Sequence, residues 1–305
     1  MPLSLAVARP LEPAALARAL AVLTKIRIAS LSTLSAATGY AVFARGLGWG
    51  VLSACGGTLL LSAGASVLNE WQEREADGRM ERTRARPLPA GVLAPAAALV
   101  FSALLISSGF ALLLAAHGIA TSLLGLLAVA WYNGIYTPLK RVTALAVVPG
   151  AFIGALPPAI GWTAAGGSPA DPRILCLSFF FFVWQIPHFW LLLLLFGRDY
   201  ERGGFPTLTA LLSRRRLARL TFVWMITTAA SSLLLPLYGL TSSPPVVLGL
   251  AASALFLGGL GAYVLRGGGE TRSLWRAFHG INAYALAVML LLAVDPYLAR
   301  WAWWS

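Results

Sequence analysis

The sequence predicts an all-α polytopic membrane protein with about nine transmembrane helices. Of its 305 residues, 58% are hydrophobic and only 11% are charged, whereas about a quarter of the residues in an ordinary soluble domain are charged. Apolar stretches long enough to cross about 30 Å of hydrocarbon as a helix recur along the whole chain. Lys and Arg residues concentrate in alternate connections between these stretches, which is typical of polytopic membrane proteins.

The predicted spans follow one another with short connections, and each contains about 20 mostly apolar residues. They cover residues 28–46, 49–68, 91–113, 118–137, 143–163, 174–196, 220–239, 245–265 and 279–298. The fifth is rich in Gly and Pro, which membrane helices tolerate because neighbouring segments satisfy the freed backbone groups. We therefore predict a single integral membrane domain over residues 1–305, with a cytoplasmic N-terminal segment at 1–27.

The basic residues predict which connections face the cytoplasm. If the N-terminus is inside, only Arg45, Arg173 and Arg300 of the 23 Lys and Arg residues fall on the outer side. Cytoplasmic connections of membrane proteins carry such an excess of Lys and Arg, so we also expect the C-terminus outside. The net charge of +12 thus reflects membrane topology, and we expect no nucleic-acid partner.

Acidic residues are rare in the chain, and five of the eleven fall within the twelve positions from Glu70 to Glu81. We predict residues 69–90 as a first acidic loop on the cytoplasmic side. Asn69, Glu73, Asp77 and Glu81 are spaced four residues apart, so a helix would align their oxygens in one stripe.

A second acidic connection is predicted at residues 197–219, where Asp199 and Glu201 lie. Four predicted spans separate it from the first acidic loop. Because an even number of crossings returns the chain to the same face, we expect the two connections to lie on one side of the membrane and to converge.

Oxygen-bearing side chains beside clustered arginines predict a magnesium diphosphate site. Mg²⁺ prefers oxygen ligands and commonly bridges carboxylates to substrate phosphates, and arginine forks bind phosphate oxygens through charge-assisted hydrogen bonds. The arginines of the first loop are Arg79, Arg82, Arg84 and Arg86. In a membrane, an isoprenyl diphosphate would suit such a site, with its chain among the apolar helices. A solvated charged loop is the alternative that this pattern leaves open.

Aromatic residues are abundant in two of the predicted spans, in the segments AWYNGIYTPLK and FFFFVWQIPHFW. Their π faces would stabilise an allylic carbocation in a dry pocket, although aromatic stripes also serve simply to pack membrane helices. The second segment contains His188. Ionisable residues within spans are rare and typically functional, so His188 is a candidate site residue.

Five motifs in this chain resemble those of the UbiA prenyltransferase superfamily. In chain order they are NxxxExxxDxxMERTRxRPLPAG, YTPLKR, PGAxxGALPPAIGW, WQIPHF and DYxxxGFP. The RTxxRPL, YTPLKR and WQIPHF strings are most similar to the branch of the family that farnesylates haem B. The resemblance runs from residue 23 to residue 206.

The resemblance implies a bundle of nine helices around a lateral, lipid-accessible cavity in the cytoplasmic (inner) membrane. It implies Mg²⁺-dependent transfer of farnesyl from farnesyl diphosphate to a vinyl group of haem B, with water completing the product, haem O. A downstream haem-modifying enzyme or a terminal oxidase assembly is the partner that it implies.

The resemblance also implies a role for individual residues. The metal ligands would be Asn69, Glu73, Asp77 and Asp199. The diphosphate would be bound by Arg82, Arg86, Tyr136 and Lys140. His188 would contact haem, as an iron ligand or a propionate partner, and Lys25 and Arg27 match the basic start of the first span.

This chain departs from the family pattern at three positions. Glu73 stands where the family usually has Asp, Ile26 replaces a proline, and Gly203 stands where quinone-type members have a second Asp. The haem-type members also lack that second Asp, so the last departure favours the haem branch.

Three other functions remain open from the sequence. The first is prenyl transfer to another acceptor, such as a quinone precursor or another tetrapyrrole. The second is transport, which would favour charged residues inside the spans, whereas nearly all charges here fall in the connections. The third is haem binding alone, which would not require the acidic and arginine-rich loops.

Overall fold

The computed structural model describes residues 12–267 and 270–301, without the side chains of Arg300 and Trp301. These residues form helices joined by short connections, with no β-strand among them. The helices are α1 (Pro13–Leu23), α2 (Ile26–Ala44), α3 (Gly50–Arg79), α4 (Pro95–Ala130), α5 (Thr137–Leu139), α6 (Val147–Gly150), α7 (Phe152–Ala164), α8 (Pro172–Arg202), α9 (Leu208–Leu211), α10 (Arg214–Leu237), α11 (Pro244–Arg266) and α12 (Thr271–Trp301). A π-helical turn, Trp131–Tyr136, joins α4 to α5.

Seven helical segments of the described chain are long and apolar enough to cross a membrane. They are α3, the continuous run from α4 to α5, the run from α6 to α7, α8, α10, α11 and α12. The first predicted span coincides with α2, which has 19 residues, and the third and fourth both fall on the run from α4 to α5. The predicted all-α, polytopic fold is confirmed.

The long α4 reverses its direction at Gly118, where φ is 81° and ψ is −179°, a conformation open chiefly to glycine. A Cβ atom built on Gly125 would lie 3.1 Å from Leu113 Cδ1, although twelve residues of continuous helix span about 18 Å. The two arms of α4 therefore pack side by side as antiparallel helices. This explains why the sequence predicts two spans here.

Small residues allow the helices around α3 to approach closely, as is typical of membrane bundles. A Cβ on Gly109 of α4 would lie 2.9 Å from the Gly57 carbonyl oxygen of α3. Gly39 of α2 and Gly161 of α7 likewise face the backbone of the opposite helix without room for a side chain. The largest apolar cluster lies in the other half, where α8 packs against α10, α11 and α12.

The two predicted acidic loops are shorter than the sequence suggested, because helices extend into both. α3 continues through Arg79 and α8 through Arg202, so the connections are residues 80–94 and 203–213 rather than 69–90 and 197–219. Basic side chains neutralise the acidic residues of α3, which permits the helix to continue beyond its apolar part.

Glu81 does not extend the predicted stripe of oxygens. Met80 has an extended backbone, with φ −93° and ψ 132°, which turns the chain out of α3. The Glu81 side chain is 70% exposed and pairs with Arg202 at 2.7 Å. The stripe therefore ends at Asp77.

Candidate functional site

A cavity of about 600 Å³ lies at the end of the bundle where α3, α5 and α8 terminate. Its polar end is lined by Lys25, Asn69, Glu73, Asp77, Arg82, Arg86, Lys140 and Tyr200. The remainder is mostly apolar and aromatic, and it includes Leu61, Val129, Tyr132, Tyr136, Phe181, Trp184, Phe189 and Met289. A lining of this kind suits a ligand with a charged head and an apolar chain.

The three oxygen-bearing residues of the α3 stripe lie together at the polar end, and all are buried. Asn69 is 1% exposed, Glu73 6% and Asp77 1%. Their side chains share one face of the helix because they are four residues apart. An unpaired buried charge is costly, so each carboxylate requires a partner.

Each stripe residue is held by one basic side chain from a different segment of the chain. The contacts are Lys25 Nζ to Asn69 Oδ1 at 2.7 Å, Lys140 Nζ to Glu73 Oε1 at 2.5 Å and Arg86 Nη1 to Asp77 Oδ2 at 2.7 Å. The three cations come from before α2, after α5 and the 80–94 connection. The bundle therefore assembles the site from segments that are distant in sequence.

Backbone geometry positions two of these cations. Lys25 adopts a left-handed conformation between α1 and α2, with φ 48° and ψ 47°, and this turn directs its ammonium group to Asn69. Lys140 follows the π-helical turn and α5, whose first residue, Thr137, accepts a hydrogen bond from Asn69 Nδ2 at 2.9 Å. Such π-helical turns frequently mark functional sites.

Glu70 is a buried acid for which sequence reasoning assigned no role. It is fully buried, and its Oε1 lies 3.6 Å from Arg86 Nε, so that Glu70 and Asp77 flank the same guanidinium. Neither Glu70 carboxylate oxygen has a hydrogen-bond partner among the described residues. The spacing of seven residues between Glu70 and Asp77 was the available signal, since it corresponds to two helical turns.

The surroundings shift the pKa of two cations outside the spans. Burial, followed by the positive charge of Arg86, lowers the pKa of Lys25 to about 8, although Glu70 and Glu73 oppose this shift. Burial also acts to lower the pKa of Arg86, but the carboxylates of Asp77 and Glu70 outweigh it and the pKa rises. Arg86 is therefore always charged, whereas Lys25 loses its proton at a lower pH than an exposed lysine does.

Asp199, in the last turn of α8, contacts the 80–94 connection. Its carboxylate accepts hydrogen bonds from the backbone N–H of Glu81 at 2.8 Å and of Arg82 at 3.3 Å. The Arg82 guanidinium lies 5.3 Å from the centroid of the Phe196 ring and 5.7 Å from that of Tyr200. Asp199 thus fastens the 80–94 connection to the end of α8.

Asp199 is not among the residues that line the cavity, unlike the other three predicted metal ligands. The described part of the chain contains no group of three or more His, Cys, Asp or Glu residues placed to hold a metal. The oxygens available to a cation in the cavity are those of Asn69, Glu73 and Asp77, and they suit Mg²⁺ in chemical type.

The remaining predicted residues differ in their placement. Arg27 is exposed on the first turn of α2 and does not line the cavity. Tyr136 is buried, and its ring centroid lies 5.0 Å from Lys140 Nζ and 6.3 Å from the centroid of Phe189. Tyr136 therefore stands at the boundary between the polar and aromatic parts of the cavity.

His188 lines the deeper part of the cavity, within α8. Its ring is surrounded by those of Trp184 at 5.0 Å, Phe189 at 5.4 Å and Phe278 at 5.1 Å between centroids. Its Nδ1 is buried without a hydrogen-bond partner in the described structure. The imidazole is therefore a polar group in a largely aromatic part of the cavity wall, beside Gln185 and Asn282.

Comparison with known proteins identifies a family and a fold. The model of the UbiA prenyltransferase family matches residues 30–283. The chain is 45% identical over 236 residues to a protoheme IX farnesyltransferase of Geobacter sulfurreducens, covering 77% of this chain and 87% of that protein. It is 36% identical over 278 residues to one of Oleidesulfovibrio alaskensis, covering 91% and 96%.

Two solved structures share the fold. The apo structure of a UbiA homolog from Aeropyrum pernix K1 has a TM-score of 0.72 at 17% identity, covering 90% of this chain and 98% of that one. A UbiA homolog from Archaeoglobus fulgidus bound to GPP and Mg²⁺ has a TM-score of 0.63 at 11% identity, covering 92% and 99%. At these identities the likeness concerns the fold alone.

Proposed function

The chain belongs to the UbiA prenyltransferase family, and we propose that it transfers the farnesyl group of farnesyl diphosphate to a vinyl group of haem B. It is a membrane prenyltransferase, as the members of this family are. Relatives named protoheme IX farnesyltransferase, at up to 45% identity, support this donor and this acceptor.

The charge of the cavity lining is the observation that carries the proposal. Lys25, Arg82, Arg86 and Lys140 line the polar end with only two carboxylates, Glu73 and Asp77. This excess of positive charge matches a diphosphate, and the adjoining apolar cavity matches an isoprenoid chain. Guanidinium and ammonium groups that bind the diphosphate also stabilise it as it departs.

We propose that Asn69, Glu73 and Asp77 hold Mg²⁺. Bound Mg²⁺ supplies positive charge at the leaving diphosphate. The donors are oxygen atoms only, which fits this metal. Lys140 and Arg86 are now paired with Glu73 and Asp77, and in turning towards phosphate oxygens they would free those carboxylates.

The aromatic part of the cavity would receive the farnesyl cation after the allylic C–O bond breaks. Tyr132 and Tyr136 stack with their ring centroids 6.1 Å apart, next to Phe189, and such faces stabilise a cation. The vinyl π electrons of haem B would then form the new C–C bond. Water would capture the resulting cation beside the porphyrin and release a proton, which gives the hydroxyethylfarnesyl product.

His188 would contact haem B in the deeper part of the cavity, as an iron ligand or a propionate partner. Its place in an aromatic wall supports this role, since a porphyrin is flat and apolar. The asymmetric distribution of basic residues supports a cytoplasmic N-terminus and a cytoplasmic site in the inner membrane. The product would pass to a haem-modifying enzyme or a terminal oxidase assembly.

A mass-spectrometric assay tests the proposal. Purified protein in nanodiscs is incubated with haem B, farnesyl diphosphate and Mg²⁺, alongside Asp77→Ala and the matched control Glu75→Ala. Glu75 belongs to the same helix, but its side chain is 75% exposed. We expect a haem product heavier by farnesyl plus water from wild type and from Glu75→Ala, and none from Asp77→Ala or without Mg²⁺.

Two other outcomes would change the conclusion. Diphosphate release from wild type without a haem product would keep the prenyltransferase but indicate another acceptor. If wild-type protein that is shown to be folded by a cooperative thermal transition releases no diphosphate, the proposed donor is ruled out.

A further inference from the structure

One face of α12 runs from an exposed surface into the cavity. Residues 275, 279, 282, 286 and 289 are spaced alternately four and three apart, so they share one side of the helix. Asn282, Leu286 and Met289 line the cavity. Trp275 and His279 are the exposed end of the same stripe, and Trp275 is 39% exposed.

Aromatic contacts connect this exposed end to the interior. The rings of Trp275 and His279 stack at 5.6 Å between centroids with an interplanar angle of 19°. Phe278 touches both, at 5.9 Å and 5.7 Å, and it also contacts His188 at 5.1 Å. A single phenyl ring therefore separates an exposed histidine from the histidine in the cavity.

The chemistry of this surface is specific. The His279 side chain is exposed, so its imidazole is accessible to a ligand. Arg272 and Arg276 are exposed on the turns next to Trp275, and Arg276 donates a hydrogen bond to the Tyr263 hydroxyl at 2.9 Å. The surface thus combines an imidazole, a flat aromatic stack and two guanidinium groups.

We propose that Trp275 and His279 form an entrance subsite for a metal tetrapyrrole, which binds here before it reaches His188. His279 ligates the iron, because imidazole is a common iron ligand. Trp275 stacks on the imidazole and holds it in place, and Arg272 and Arg276 attract the two propionates by charge-assisted hydrogen bonds. This inference rests on haem B as the acceptor in the proposed function.

Steady-state kinetics of His279→Ala in nanodiscs tests the subsite. We expect the KM for haem B to rise about tenfold, which corresponds to the loss of one moderate interaction. The kcat and the KM for farnesyl diphosphate should remain unchanged, because His279 does not line the diphosphate end. Added imidazole should restore part of the haem affinity.

His117→Ala serves as the histidine control. His117 lies at the opposite end of the bundle, where its ring contacts Ser53 Oγ at 2.8 Å and the Ala164 carbonyl oxygen at 3.0 Å. It should leave the KM for haem B unchanged. Trp275→Leu is a second variant of the subsite and should raise the KM in the same direction, even if His279→Ala folds poorly.

If both subsite variants fold and have the KM for haem B of the wild type, the proposal is overturned. The same holds if the variants differ from the wild type only in thermal stability. If wild type forms no farnesylated haem, the proposed function fails, and haem titration then decides about the subsite separately. If the Soret band of haem bound to the wild-type protein shifts in His279→Ala, the result supports the subsite. Identical spectra of the two proteins would exclude it.

Discussion

The two ends of the bundle both bury an aspartate, but they stabilise it in different ways. At the cavity end, Asp77 is 1% exposed and pairs with the guanidinium at the end of the Arg86 side chain. At the opposite end, Asp295 is also 1% exposed. It accepts hydrogen bonds from the backbone N–H groups of Ser242 and Ser243, and from the Thr241 hydroxyl.

The difference indicates what each aspartate does. Backbone amides cannot leave Asp295 without unfolding the α10–α11 connection, so this carboxylate is a structural anchor. A long basic side chain can rotate away from Asp77 towards a ligand in the adjoining cavity. Burial alone therefore does not distinguish a functional acid from a structural one, whereas the mobility of its partner does.

The largest effect is expected for Asp77→Asn. We expect a loss of turnover of at least about 100-fold, in the range seen when transition-state charge stabilisation is removed. The change in thermal stability should be small, because the amide still fills the space and Glu70, 3.6 Å from Arg86, remains to pair with the guanidinium. Diphosphate release and a thermal melt in detergent measure the two quantities. A large loss of stability with normal turnover per folded molecule would show that Asp77 has a structural role, as Asp295 does.

The ion pair between Lys140 and Glu73 provides a second test of whether a basic side chain can leave its carboxylate to bind the ligand. Lys140→Met leaves Glu73 buried without its cation, which should lower stability by about 3 kcal/mol. Adding Glu73→Gln should recover most of that stability, since no charge is then unpaired. Turnover should stay low in both variants, because a diphosphate partner is missing. If the double variant recovers turnover as well, the pair has only a structural role.

Asp295→Ala should have the opposite profile. It leaves buried N–H and hydroxyl donors without an acceptor, which we expect to lower stability by about 2 kcal/mol. The kcat of the folded protein should be unchanged, because Asp295 does not line the cavity. Chemical unfolding and product formation normalised to folded protein check this, and Glu75→Ala, at a side chain that is 75% exposed, is the control. A kcat loss larger than the folded fraction explains would contradict the comparison.

The smallest effect concerns pH and Lys25. The pKa of Lys25 is lowered to about 8, so the folded protein binds fewer protons than the unfolded chain above that pH, and its stability should rise as the pH increases. Binding of the diphosphate needs the protonated amine. The kcat/KM for farnesyl diphosphate should therefore fall several-fold as the pH rises through about 8. Lys25→Arg, which does not titrate, should abolish this fall; a profile identical to wild type would exclude Lys25 as its source.

Much of the fold follows from the sequence alone. A run of about 20 apolar residues must form a helix in a membrane, since no other structure satisfies its backbone within a single segment. All nine predicted spans accordingly coincide with helices of the structure. The spacing of four in Asn69, Glu73 and Asp77 likewise depends only on helical geometry, and these three residues do share one buried face.

Only the tertiary structure decided which groups meet. Arg27 and Lys25 are two residues apart, yet Lys25 reaches Asn69 while Arg27 is exposed, because a left-handed turn separates their directions. Asp199 contacts backbone amides of the 80–94 connection instead of lining the cavity. Local sequence determines helices and faces through short-range geometry. Side-chain contacts across 44 or more residues depend on how the helices pack, and so appear only in the folded bundle.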